Sequence, residues 1–104
     1  MELTAIYRKH GWELRSALLR PETRAELQSV LPNELVIRDA EFDALWFSRP
    51  SHNNREAWEL RLLAQTQYAL FETFEADETE EERHDLRLEM EASLREYLTA
   101  DKRR

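Results

Sequence analysis

Residue types that bind ligands gather most densely in Trp46-Phe47-Ser48-Arg49-Pro50-Ser51-His52-Asn53-Asn54-Arg55. Aromatic rings beside guanidinium groups can stack on planar ligands, and amide side chains can hydrogen-bond them. With Trp58 just beyond, the candidate ligand- or partner-binding set is Trp46, Arg49, His52, Asn53, Arg55 and Trp58. A plainer reading competes with it. Trp is highly buried on average, so Trp46 and Trp58 can anchor the core of a hairpin, with Arg49 and Arg55 in solvent and residues 52–54 as its turn. The plainer reading carries more weight.

Other chemistry is thin. Phosphate-binding loops need several glycines so that backbone N–H groups can approach the anion; Gly11 is the only glycine here. The same scarcity removes a strained nucleophile elbow. The three histidines, His10, His52 and His84, are scattered. Glu80 and His84 share a helical face, but a helix-stabilising pair explains them better than a metal site. Glu81, Asp85 and Glu89 align in the same way and read as a solvated face, since no loop adds the oxygens calcium needs. A triad of Ser48 or Ser51 with His52 and Asp43 would need spatial geometry that spacing does not supply. No cysteine is present, so there is no thiol nucleophile, disulfide or thiolate site. The expectation is no catalytic residue, no metal and no cofactor, and the reading leans away from an enzyme.

These residues must be held by elements, and the elements are legible in part. Leu3, Ile6 and Tyr7 have helical spacing that Gly11 ends. The start of Trp12-Glu13-Leu14-Arg15-Ser16-Ala17-Leu18 alternates as a strand does. Pro21 suits the first position of a helix running through Ala25, Leu27, Val30 and Leu31 to Pro32-Asn33. An extended stretch begins at Leu35-Val36-Ile37, breaks over residues 39–43 and resumes through residues 44–48. Trp58, Leu60 and Leu62 alternate with charged residues, residues 65–67 turn the chain, and residues 68–74 form a further strand. Thr79 with Glu82 makes a capping box. Leu86, Met90, Leu94, Tyr97 and Leu98 then form one apolar stripe over a helix of residues 79–100, ahead of the basic tail Lys102-Arg103-Arg104.

Trp12-Glu13-Leu14-Arg15 recurs as Trp58-Glu59-Leu60-Arg61. Antiparallel pairing with Leu14 opposite Leu60 would set Glu13 against Arg61 and Arg15 against Glu59, so the two segments are expected to be neighbours. The order predicts an α+β fold: an antiparallel sheet of three to four strands, a short helix after the first, and a long C-terminal helix on one face. The alternative is all-α, because Val and Ile are scarce. The wound residues 58–74 would scatter their apolar groups around a helix, which favours strands.

The chain has 104 residues, a size that fits one domain over residues 1–104, with residues 77–104 as its acidic-start helix and tail. Its net charge is −7, of which −6 falls in residues 72–104 while residues 1–24 carry +2. Such acidity disfavours nucleic acid and anionic lipid as partners. From residue 21 to 100 the element order is similar to that of double-stranded-RNA-binding domains. The final helix starts with acidic residues 77–82, the wrong sign for a polyanion. No apolar run is long enough to cross a bilayer and the start is not a signal peptide; with the lack of cysteine, this points to a soluble, cytoplasmic protein. The expectation is a small non-catalytic interaction module, an adaptor, regulator or chaperone-like protein that binds another protein or itself. The alternatives are a small-ligand domain with a pocket near residues 46–55, and an enzyme without a recognisable motif.

Overall fold

The computed structural model describes residues 2–102, and side chains as far as Ala100; Arg103 and Arg104 of the basic tail lie outside the described residues, as does the side chain of Lys102. Helix α1 (Glu2–Lys9) leads into β1 (Glu13–Leu19), then α2 (Pro21–Leu27), β2 (Val36–Asp39), β3 (Ala44–Pro50), β4 (Glu56–Leu62), β5 (Ala69–Phe74) and α3 (Glu80–Lys102). The strands form one five-stranded sheet in the order β2-β1-β3-β4-β5. It is antiparallel except for the β1–β2 pair. The fold is α+β, and the all-α alternative is overturned.

Local signals explain most boundaries. Gly11 has φ +85°, in the left-handed region; its N–H donates to the Arg8 carbonyl (3.0 Å) and the Trp12 N–H to the Tyr7 carbonyl (3.0 Å). These are the paired bonds of a Schellman cap, completed by the expected apolar contact, here between the Trp12 and Tyr7 rings at 6.1 Å. At α3 the Glu82 N–H donates to Thr79 Oγ1 (3.1 Å) and the Thr79 N–H to Glu82 Oε1 (3.5 Å), the reciprocal capping box. Pro21 opens α2 as expected, but α2 ends at Leu27 rather than at Pro32. The Val30 and Leu31 N–H groups both turn back to the Leu27 carbonyl, and Leu31 becomes buried while Val30 stays exposed.

The expected pairing of Trp12–Arg15 with Trp58–Arg61 is wrong. Strand β3 lies between β1 and β4, so Leu14 faces Phe47 and Leu60 faces Trp46. A nearly all-apolar strand gains most in the middle of a sheet, with both faces covered. The same arrangement adds a fifth strand and, through α2, the parallel β1–β2 pair. It also breaks the run of consecutive strands that the RNA-binding order implies.

Successive side chains of a strand point to opposite faces, and β3 divides the core accordingly. Trp46, with Leu18, Ala44, Trp58, Leu60, Leu62 and Phe74, faces α3 and meets Met90 and Leu94. Phe47, with Ala17, Leu19 and Leu45, faces the other way, against Leu31, Leu3 and Tyr7 of α1 and Leu27 of α2. A 23-residue helix closes the first face; two helices of eight and seven residues, neither with a buried residue, share the second.

Candidate functional site

The structure disperses the predicted set over the two faces of the sheet and the turn between β3 and β4. Trp46 is 2% exposed and Trp58 7%, their rings edge to face at 5.9 Å under α3. Both serve as core anchors of the β3–β4 hairpin. His52, Asn53 and Asn54 form the 3-10 turn that joins those strands, where Asn53 (φ 58°) and Asn54 (φ 61°) adopt the left-handed conformation that Asn tolerates better than most residues. The Ser51 N–H bonds the Arg55 carbonyl (2.9 Å) and the Arg55 N–H the His52 carbonyl (3.1 Å), locking the turn. Neither guanidinium is simply solvated. Arg55 Nε donates to Glu75 Oε2 (2.7 Å). Arg49 donates to the His10 carbonyl at the end of α1 (3.1 Å) and lies 4.6 Å above the Trp12 ring.

Arg49 therefore belongs to the second face, where a ladder of rings runs across the sheet. Phe47 stacks on Tyr7 at 4.0 Å, Tyr7 leans on Trp12, and Trp12 meets Phe71 edge-on at 6.2 Å. Phe71, on β5 in the row Phe47–Glu59–Phe71, is 57% exposed. Arg61 donates to the Tyr7 hydroxyl (3.2 Å). Burial, then Glu59 beside it, push the Tyr7 phenol up to about 12 against the opposing pull of Arg61. Beside Trp12, a groove of about 520 Å³ runs between α1 and the segment after α2, bordered by Arg8, Leu14 and the exposed Val30. Sequence reading missed Tyr7, Trp12 and Phe71 as neighbours. The available signal was Gly11, whose cap fixes Trp12 against Tyr7.

On the first face, Trp46 and Trp58 carry a layer of arginines that the sequence reading did not connect with them. A bulge between Leu14 and Ser16 leaves Arg15 5.6 Å from the Trp58 ring, and Arg87 of α3 lies 4.5 Å from the same ring. Glu91, itself buried, accepts from the Trp46 indole N–H (2.9 Å) and from Arg38. Arg83 bonds Glu56 (3.2 Å) and Arg87 bonds Glu80; the Arg87 guanidinium holds the Glu80 carboxyl below its usual range. All of these side chains except Glu91, with Val36 and His84, line a cleft of about 460 Å³.

The residues of the imagined triad are not brought together. Asp43 and Ser48 stand about 17 Å apart along β3, and Asp43 is committed elsewhere. It is buried, which alone would raise its pKa, but bonds from the Arg20 side chain (2.9 and 3.1 Å), the Arg20 N–H (2.9 Å) and Thr23 (2.7 Å) hold it below the ordinary carboxylate range. Glu80, considered above with His84, is paired with Arg87. Among the described residues no three His, Cys, Asp or Glu side chains form a metal-binding group, and no helix is long and apolar enough to cross a membrane. Neither a protein-family model, nor a curated protein, nor a solved structure matches this chain.

Proposed function

We propose that this chain is a non-catalytic protein-interaction module, and that its contact surface is the sheet face bearing Tyr7, Trp12, Arg49 and Phe71. The observation that carries this reading is Phe71: a large ring, 57% exposed, continuing a ladder of packed aromatics rather than standing alone. Trp, Tyr and Arg are the residue types that most often dominate binding energy at interfaces. An exposed ring braced by the half-buried Trp12 loses little side-chain entropy when a partner covers it.

Charge selects the partner. Arg8, Arg49 and Arg61 border Trp12 and Tyr7 on this face against Glu13 and Glu59, whereas residues 75–89, leading into and along the first turns of α3, carry eight acidic groups against two basic ones. A segment with an apolar anchor flanked by Asp or Glu is drawn to the aromatic face and repelled from α3. The occupant is such an acidic segment of another protein.

Selection of short random peptides displayed on phage against the immobilised chain tests this. Enriched sequences should combine an aromatic or aliphatic anchor with acidic neighbours, and should lose at least about tenfold in affinity on Phe71→Ser. Failure to enrich any sequence, or binders indifferent to Phe71→Ser and to Arg49→Ala, would overturn the proposal.

A further inference from the structure

Resting on the interaction surface proposed above, we infer how its partner docks: the acidic segment adds to the free edge of β5 as a sixth, antiparallel strand. Its apolar anchor lies opposite Phe71, and its acidic residue, two positions later, lies opposite Ala69. The ladder fixes which backbone groups are available. The Leu62 N–H donates to the Tyr68 carbonyl (3.0 Å), and in antiparallel pairing bonded and unbonded residue pairs alternate. In the register of β4 and β5 the bonded pairs are then Leu60–Leu70, Trp58–Glu72 and Glu56–Phe74. Ala69, Phe71 and Thr73 therefore turn their N–H and C=O groups away from β4, to the side where the sheet ends. Thr73 agrees with this, since its N–H reaches the Glu72 carboxylate (3.1 Å) and not a strand.

The two edges of the sheet differ. Strand β2 has four residues, two of them the charged Arg38 and Asp39, and short, charged strands are how edges are blunted against further pairing. Strand β5 has six residues without Pro, Gly or Lys, pairs with β4 without a bulge, and leaves Ala69 and Phe71 exposed. Such an edge gives an extended segment its main-chain bonds, while alternate side chains supply specificity. The residue opposite Phe71 lies about 5.5 Å away, Cα to Cα, so an apolar anchor there packs on the exposed ring. Charge places the acidic residue. Glu59 shares the row of Phe71, and Arg61 shares the row of Ala69. Arg61 stands about 10 Å from the added strand with only small Ala69 between them, a gap that a guanidinium and a carboxylate span together. Arg49, in the row of Thr73, is one strand farther away and holds the His10 carbonyl. A second copy of β5 fits less well. Paired about Phe71, it would set Thr73 opposite Ala69, where Arg61 calls for an acid, and join two chains of net charge −7.

Amide exchange and affinity measurements with the tightest phage-selected peptide test this geometry. Binding should slow exchange at Ala69 and Phe71, whose N–H groups lie outside the ladder. N-methylation of the peptide at its anchor, or at the acidic residue two positions later, should cost at least about tenfold in affinity. N-methylation of the residue between them, whose N–H points away from β5, should cost much less. Ala69→Pro removes an outward N–H at the first position of an edge strand, where proline is tolerated. It should weaken the peptide about tenfold and leave the thermal midpoint unchanged. A peptide that requires Phe71 but shows neither protection at β5 nor any dependence on the methylated position would overturn strand addition and leave the interaction surface standing. An acidic residue two positions before the anchor would overturn the antiparallel direction. Absence of any Phe71-dependent peptide would overturn both readings.

Discussion

The two faces of the sheet are built from similar residues and closed in opposite ways. Beneath α3, Trp46, Trp58 and Phe74 are shut from solvent, and the polar groups above them are tied into Arg38–Glu91–Trp46 and Arg83–Glu56 contacts. Beneath α1 and α2, Phe47 is equally buried, yet the ring ladder that starts there ends in solvent at Phe71. The difference lies in the covering element. A long helix with a continuous apolar stripe spans several strands, whereas α1 holds the sheet chiefly through Leu3 and Tyr7, with Arg49 gripping its C-terminal carbonyl. A face closed by short helices keeps apolar surface available for a partner, at some cost in local stability.

The comparison breaks most readily at Trp46. Trp46→Ala should destabilise the fold by about 3–5 kcal/mol, since it empties the core under α3 and strips Glu91 of its indole donor. Denaturant unfolding followed by circular dichroism measures this; a loss below about 1 kcal/mol would mean that the α3 face is no tighter than the other.

Asp43→Asn should cost about 1.5–3 kcal/mol, because it weakens charge-assisted bonds from Arg20 at the junction of β1 and α2. The folded-state pKa of Asp43 is depressed. The wild-type advantage is therefore present above the unfolded carboxylate value near about 4 and disappears as pH falls through the lower folded value. Thermal unfolding of both chains against pH should show their stabilities converging in acid.

Tyr7 probes the looser face in alkali. Its folded pKa, about 12, exceeds the usual phenolic 10.0, so its contribution is complete below about 10 and is lost as pH rises toward the folded value. Phenolate absorbance should show the Tyr7 phenol titrating late, with amide exchange in α1 rising over the same interval while α3 stays protected. Simultaneous loss of both helices would refute the independence of the two faces.

The smallest effect is expected at Phe71. Phe71→Ser should change stability by no more than about 0.5 kcal/mol, although it removes the proposed anchor of the interface. A large destabilisation in the same denaturant assay would show that Phe71 belongs to the core and leave the open face without its distinguishing residue.

What was legible in the candidate regions follows from reach along the chain. The turn at residues 52–54 was readable because Asn tolerates the left-handed backbone wherever it occurs. The burial of Trp46 and Trp58 was readable from their size and alternation. That Arg49 would cap α1 was not, because donor and acceptor are 39 residues apart. Nor was the partnership of Arg15 and Arg87 across Trp58, which depends on a bulge in β1 and on the angle at which α3 crosses the sheet.

By itself the sequence determined the α+β composition, the break at Gly11, the proline start of α2, the Asn turn, and the capped amphipathic helix over residues 79–100. Each rests on bonds or periodicities spanning a few neighbouring residues, so each is written in a short window. Only the tertiary structure decided that β3 lies between β1 and β4, that β2 runs parallel to β1, and which arginines meet which rings. Strand order is a competition among apolar segments for the two-sided burial of the sheet centre. Its outcome depends on every strand together, and no single segment records it.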